Sequence, residues 1–138
     1  MTDEYRFSAD LIDIDRERVH AWLSEQSYWA AGRAREVQDA AIDASRNYAV
    51  VDGDGRQVAY ARVVTDAVTF AWLCDVFVDQ DERGHGIGKL LIEGVVADIE
   101  RMSVTRILLA TADAHGLYAQ YGFAPSEDPT RYMIRPMV

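Results

Sequence analysis

Residues 82–91 read ERGHGIGKLL, with glycine at 84, 86 and 88, Arg83 just before them and Lys89 just after. Upstream lies TFAWLCDVFV (69–78), rich in aromatic and β-branched residues as a strand should be. Downstream, Ile87, Leu90, Leu91, Val95, Ile99 and Met102 recur at the spacing of an amphipathic helix. Glycine is a poor helix former, so this junction between strand and helix needs a reason other than helix stability. The first N–H groups of a helix have no intrahelical partner, and the positive end of the helix dipole reinforces them. An anion, typically phosphate, is the natural occupant, and a backbone without Cβ atoms lets its oxygens approach. Arg83 and Lys89 would add charge, Arg83 in a bidentate manner.

Spacing excludes the two commonest phosphate loops. G-x-G-x-x-G from Gly84 would require glycine where Lys89 stands. G-x-x-x-x-G-K-[ST] would require glycine at Arg83 and a hydroxyl residue at Leu90. What remains is R-x-x-G-x-G, formed by Arg83, Gly84, His85, Gly86, Ile87 and Gly88.

The rest of the chain supplies a frame for that loop. YRFS (5–8) predicts a short strand. After LIDID comes a helix with Asp13 as its N-cap and Val19, Trp22 and Leu23 on one face. SYWAAG (27–32) interrupts it, and Val37, Ala40, Ala41 and Ala44 mark the apolar face of a second helix. NYAVVD (47–52), GDG (53–55) and RQVAYARVV (56–64) predict a hairpin. RILLAT (106–111) reads as a central strand, and HGLYAQY as a short helix closed by Gly122. RYMIRPM (131–137) reads as a last strand interrupted by proline. This order predicts an α/β mixed sheet with helices on its faces, folded as one domain over 1–138.

Composition narrows the class. The 138 residues carry 23 acidic and 14 basic side chains, a formal charge of −9, which argues against nucleic acid or an anionic membrane as partner. It tilts the expected partner toward a cationic molecule. MTDEYRF is acidic with no apolar run, and Cys74 is the single cysteine, so a reducing, cytoplasmic setting is expected. A lone cysteine also excludes a multi-cysteine zinc site, and no metal is expected.

The loop, the strand LCDVFVDQDE before it, the apolar helix after it and LYAQYGF (117–123) together resemble the GCN5-related N-acetyltransferase (GNAT) superfamily. The match is specific over 69–124 and rests on element order alone over 1–66. The resemblance implies a predominantly antiparallel central sheet flanked by helices, with acetyl-CoA as co-substrate. It assigns the pyrophosphate to Arg83–Lys89, including the variable His85. It also assigns the pantetheine arm to the backbone of Val76, Phe77 and Val78, where two central strands splay. The Val76 amide would then serve the thioester carbonyl.

Acetyl transfer needs a neutral amine, a donor for the oxyanion and a proton for the leaving thiolate. Tyr118 matches the general acid of many relatives. Polyamine-acetylating members carry Glu-Asp where this chain has Cys74-Asp75, so Cys74 replaces the acid often proposed as base. Asp75, facing opposite to Cys74 by strand alternation, and His115, a turn or less before Tyr118, are the remaining candidates. His20 is a weaker one, and Cys74 lacks the partners a nucleophile needs. The acceptor wall falls on Tyr28, Trp29, Arg33 and Trp72, where aromatic rings could sandwich a cation or simply pack. The resulting expectation is a small-molecule N-acetyltransferase. A protein-lysine or N-terminal acetyltransferase, or a non-catalytic acyl-CoA-binding regulatory module, is the alternative. A homodimer formed through the edge of the C-terminal strand is expected by analogy.

Overall fold

The computed structural model describes residues 4–137. Its centre is the predicted hairpin, in which Arg46–Val51 (β2) pairs antiparallel with Gln57–Thr65 (β3). The Asp52 carboxylate closes the turn by accepting from the Asp54 and Arg56 N–H groups, each at 2.9 Å. Arg6–Ser8 (β1) adds outside β2, and Ala71–Val78 (β4) adds outside β3, both antiparallel. Ile107–Leu108 (β5) lies parallel to β4, so the strand order is β1-β2-β3-β4-β5. A parallel neighbour requires a crossover, and Ile87–Glu100 (α3) provides it.

Period-two alternation divides the core between the two faces of the sheet. Tyr48, Val50, Ala59, Ala61, Val63 and Leu73 meet Ile87, Leu91, Ile92, Val95 and Ile99 of α3. The short helix His115–Ala119 (α4) joins that layer through Tyr118. On the other face, Ala49, Tyr60 and Phe77 meet Val19, Trp22 and Leu23 of Arg16–Gln26 (α1) and Ile42 of Arg35–Asp43 (α2).

Four expectations are corrected. Asp15, not Asp13, caps α1, accepting from the Arg18 N–H. Asp13 ends a 3-10 turn, Leu11–Asp13, and accepts from Ser8 Oγ at 2.6 Å. On α2 the buried residues are Gln38 and Ile42, whereas Val37 is exposed, because Gln38 is drawn inward as an acceptor for Arg33. β5 is the short outermost strand among the described residues and not a central one, since nothing pairs along its far side. The segment 131–137 forms no strand. Pro129 opens a 3-10 turn, and Met133, Ile134 and Met137 are 93%, 90% and 81% exposed. A strand exists only through ladder partners, and Pro136 itself lacks an N–H.

One glycine reflects close packing. A Cβ on Gly94, inside α3, would lie 2.4 Å from the ring of Phe7 on β1. An exposed helical glycine-to-alanine change ordinarily stabilises by about 1 kcal/mol. Gly94→Ala is instead expected to destabilise by about 1–3 kcal/mol, the usual effect of overpacking. Urea unfolding would show this as a lower midpoint, and adding Phe7→Ala should recover the part due to the clash.

Candidate active site

The site begins with an irregularity in β4. Tyr60 pairs with Phe77 but Arg62 pairs with Cys74, so two residues of β4, Asp75 and Val76, face Ala61 alone. Asp75 carries the extra turn of the backbone with φ of 53°, in the left-handed region that asparagine and aspartate tolerate best. This overturns the expected alternation. Cys74 and Asp75 both lie on the α1/α2 face, because Cys74 opposes Arg62 and Asp75 accepts from Arg62 Nε at 2.9 Å.

The Asp75 carboxylate is 2% exposed and held from three directions. Arg33, on the connection between α1 and α2, donates from Nη1 at 2.8 Å and Nη2 at 3.4 Å. Trp29 Nε1 donates at 3.0 Å, and Arg62 closes the ring. Burial alone would push this carboxyl up. The bonds and charges of Arg33 and Arg62 outweigh it and hold the group below the usual carboxylate range. A carboxylate so engaged has little basicity to offer, which removes the physical ground for reading Asp75 as a base. Arg33, expected in the acceptor wall, is half-buried in this ion cluster. Burial raises the neighbouring Cys74 thiol to about 11, leaving it protonated and unsuited to nucleophilic attack.

Local bonds fix the connection that carries Trp29 and Arg33. Ser27 Oγ donates to the Leu23 carbonyl and accepts from the Ala30 N–H, and the His20 Nε2–H donates to the Arg33 carbonyl at 2.7 Å. His20 is thereby structural. Tyr28, 66% exposed, stands edge-on to Trp29 with centroids 5.0 Å apart. Trp72 is exposed farther along β4 opposite Val64, and among the described residues no ring contact joins it to that pair.

Beyond Trp72, β4 and β5 part. Among the described residues they pair only at Ala71–Ile107 and Trp72–Leu108, and no strand lies on the β5 side of Cys74 to Val78. At the end of this open edge the glycine loop turns into α3. Gly84 and Gly86 have φ of 90° and 77°, and a Cβ on either would meet nothing within 4 Å. Gly86 is the N-cap and supplies no side-chain cap, and the first ladder bond recorded for α3 runs from Leu90 to Gly86. The N–H groups of Ile87, Gly88 and Lys89 thus lie ahead of the ladder, an arrangement that fits a phosphate. Arg83 is turned back, with Nε on the Val78 carbonyl at 3.0 Å and its guanidinium 5.3 Å from the Phe77 ring. Exposed His85 stacks on Tyr5, which donates to Glu82 at 2.7 Å.

Gly88 is where strand, loop and α4 meet. A Cβ there would touch Leu117 at 3.6 Å and Val78 at 3.9 Å, and Tyr121 Oη donates to the Lys89 carbonyl at 3.2 Å. This docking holds α4 against the start of α3, with Tyr118 edge-on to Phe123 and 7% exposed. Its hydroxyl has no hydrogen-bond partner among the described residues. Burial first, then nearby Asp113 and Tyr28, push it up to about 12, so it stays protonated at neutral pH. His115 opens α4 in solvent, one turn before Tyr118. Sequence reasoning missed Arg62 and Gln38. An arginine inside the buried strand QVAYARVVT was the available signal for Arg62.

An open strand edge, a glycine-capped helix start and a buried phenol together define a site suited to a phosphate-bearing acyl carrier. A profile of the acetyltransferase (GNAT) family matches residues 16–123, and the chain belongs to that family. A Xanthomonas campestris pv. campestris structure assigned to the GNAT family is 41% identical, with a TM-score of 0.90 over 97% of this chain and 94% of that one. Glucosamine-6-phosphate N-acetyltransferase of Arabidopsis thaliana shares the fold at a TM-score of 0.69 and 16% identity over 98% and 99% of the two chains. Serotonin N-acetyltransferase 2, chloroplastic, of Oryza sativa subsp. japonica is 39% identical over 80 residues, covering 57% of this chain and 40% of that protein. The chain therefore spans less than half of that curated relative. Among the described residues, no helix is long and apolar enough to cross a membrane, and no group of three His, Cys, Asp or Glu side chains is placed to hold a metal ion.

The ion cluster generates a stability prediction. Asp75→Asn leaves two guanidiniums without a counter-charge and is expected to destabilise by about 3–5 kcal/mol at neutral pH. The folded carboxyl titrates below its unfolded value of about 3.9, so its stabilisation is present above that value and is lost as pH falls through the folded pKa. Urea midpoints of wild type and Asp75→Asn should therefore differ widely at pH 7 and converge as the pH falls through the lowered folded pKa.

Proposed function

We propose that this chain is an N-acetyltransferase that moves the acetyl group of acetyl-CoA to a primary amine of a small molecule. The observation that carries the reading is the parting of β4 from β5 after Trp72, along a strand that leads to the glycine-capped start of α3, on which the helix of Tyr118 docks through Leu117. The α3 N–H groups and the Gly84–Gly88 backbone would bind the pyrophosphate. The unpaired edge at Val76, Phe77 and Val78 would bind the pantetheine arm, which supplies the thioester. The acceptor enters from the α1/α2 face, past Tyr28 and Trp29.

The chain's own groups account for the chemistry. The amine nitrogen forms the new N–C bond as the C–S bond breaks, and the Val76 N–H at the bulge is the donor proposed for the oxyanion. Tyr118, neutral at working pH, gives its proton to the departing thiolate and recovers one from solvent. The attacking amine gives its proton to water or to exposed His115, since both oxygens of Asp75 are occupied by N–H donors. Asp75 acts as a positioning residue that ties the bulge to the acceptor wall.

The test is acetyl-CoA turnover against polyamines, amino acids, aminoglycosides, arylalkylamines and a lysine peptide, with free CoA measured chromatographically. Transfer to a small amine and little to the peptide is expected. Saturable acetyl-CoA binding with no transfer to any acceptor would assign the chain to acyl-CoA binding alone. With an active acceptor in hand, Tyr118→Phe should lower kcat by about 100-fold or more, the usual contribution of a general acid. Calorimetry should find its acetyl-CoA affinity nearly unchanged.

A further inference from the structure

The cluster around Asp75 does not balance its charge. Two guanidiniums, Arg33 and Arg62, face one carboxylate, leaving a surplus of one positive charge. The Arg33 and Arg62 side chains are 20% and 15% exposed, so this surplus is desolvated yet still reachable. Their donors are unevenly used. A guanidinium carries five N–H groups, and among the described residues the pair spends five of its ten on Gln38, Asp75 and Ser45. Gln38 adds an independent sign. It is fully buried, its Oε1 accepts from Arg33, and its Nε2 has no partner among the described residues. Buried donors without acceptors are costly, and here they sit beside an uncompensated charge.

Position decides what the surplus can serve. The cluster is on the α1/α2 face of β4, sharing Trp29 with the aromatic pair that walls the acceptor side. α3 packs on the opposite face, so the sheet separates the cluster from the helix start that would receive the phosphates of an acyl carrier. We propose that the acceptor carries a carboxylate as well as its amine, and that Arg62 and Arg33 receive it. Tyr28 and Trp29 would then flank the carbon skeleton. This deepens the acetyltransferase reading and rests on it for the location of the acceptor.

The test uses amines matched except for the carboxylate, tryptophan with tryptamine and phenylalanine with phenethylamine, in two measurements on the CoA-loaded protein. Calorimetry reads binding, and chromatographic CoA release with acetyl-CoA reads transfer. The carboxylated member of at least one pair is expected to bind about tenfold tighter or more, a difference of about 1.4 kcal/mol. Its kcat/KM should be higher by a similar factor. Arg62→Gln and Arg33→Gln, each leaving one Arg–Asp75 pair, should abolish that preference, with folding checked by urea unfolding. Equal or reversed preference, no binding by either carboxylated amine, or a preference that survives both substitutions overturns the inference. Transfer to the decarboxylated amines alone would do so while sustaining the acetyltransferase reading. Selective carboxylate binding with no acetyl transfer would sustain the anion site and overturn the activity.

Discussion

The arrangement depends on one buried carboxylate. Asp75 occupies a left-handed backbone position in the middle of a strand, with an extra residue breaking the β3–β4 register beside it. A left-handed residue costs roughly 1–2 kcal/mol, and a desolvated carboxylate costs several more. Both terms oppose folding unless the side chain finds donors. Arg33, Arg62 and Trp29 are those donors, and they come from two separate segments, the α1–α2 connection and β3. The bulge and the α1–α2 connection therefore depend on each other. The carboxylate holds the connection in place, and Arg33 and Arg62 make the bulged conformation tolerable.

From that point the two faces of β4 take on different electrostatic tasks. On the α1/α2 face, side-chain charge is concentrated in a small, largely dry cluster. On the α3 face, charge is presented by the backbone, as N–H groups ahead of a helix ladder whose cap lacks a side chain. The parting from β5 leaves the strand edge between them open, so a linear molecule could lie along the edge with its anionic end at the loop. Tyr118 is placed by packing and not by polar bonds. Leu117 against Gly88 and Tyr121 on the Lys89 carbonyl dock α4 onto the start of α3, leaving the phenol without a hydrogen-bond partner among the described residues.

What could be read from the sequence was what short-range physics determines. The hairpin followed from alternation and a GDG turn, the α3 face from its helical period, and the loop from glycines at a strand–helix junction. Long-range effects were hidden. No local rule announces that Asp75 will share a face with Cys74, because the bulge forms only when donors from residues 29, 33 and 62 converge. Asp13 and Asp15 are equally good caps on paper, and Ser8 decides between them by engaging Asp13. The apolar tail RYMIRPM looks like a strand, but a strand also needs a neighbour, which periodicity cannot supply.

The charge of the molecule illustrates the same divide. A formal charge of −9 points toward cationic partners, and as a statement about the distant field it is sound. At physiological ionic strength, however, exposed charges are screened over about 8 Å, while partly buried ones are screened much less. A ligand on the α1/α2 face would meet Arg33 and Arg62 at contact distance, where solvent-facing carboxylates elsewhere on the surface contribute little. Local desolvated charge, not the total, sets what that face can hold.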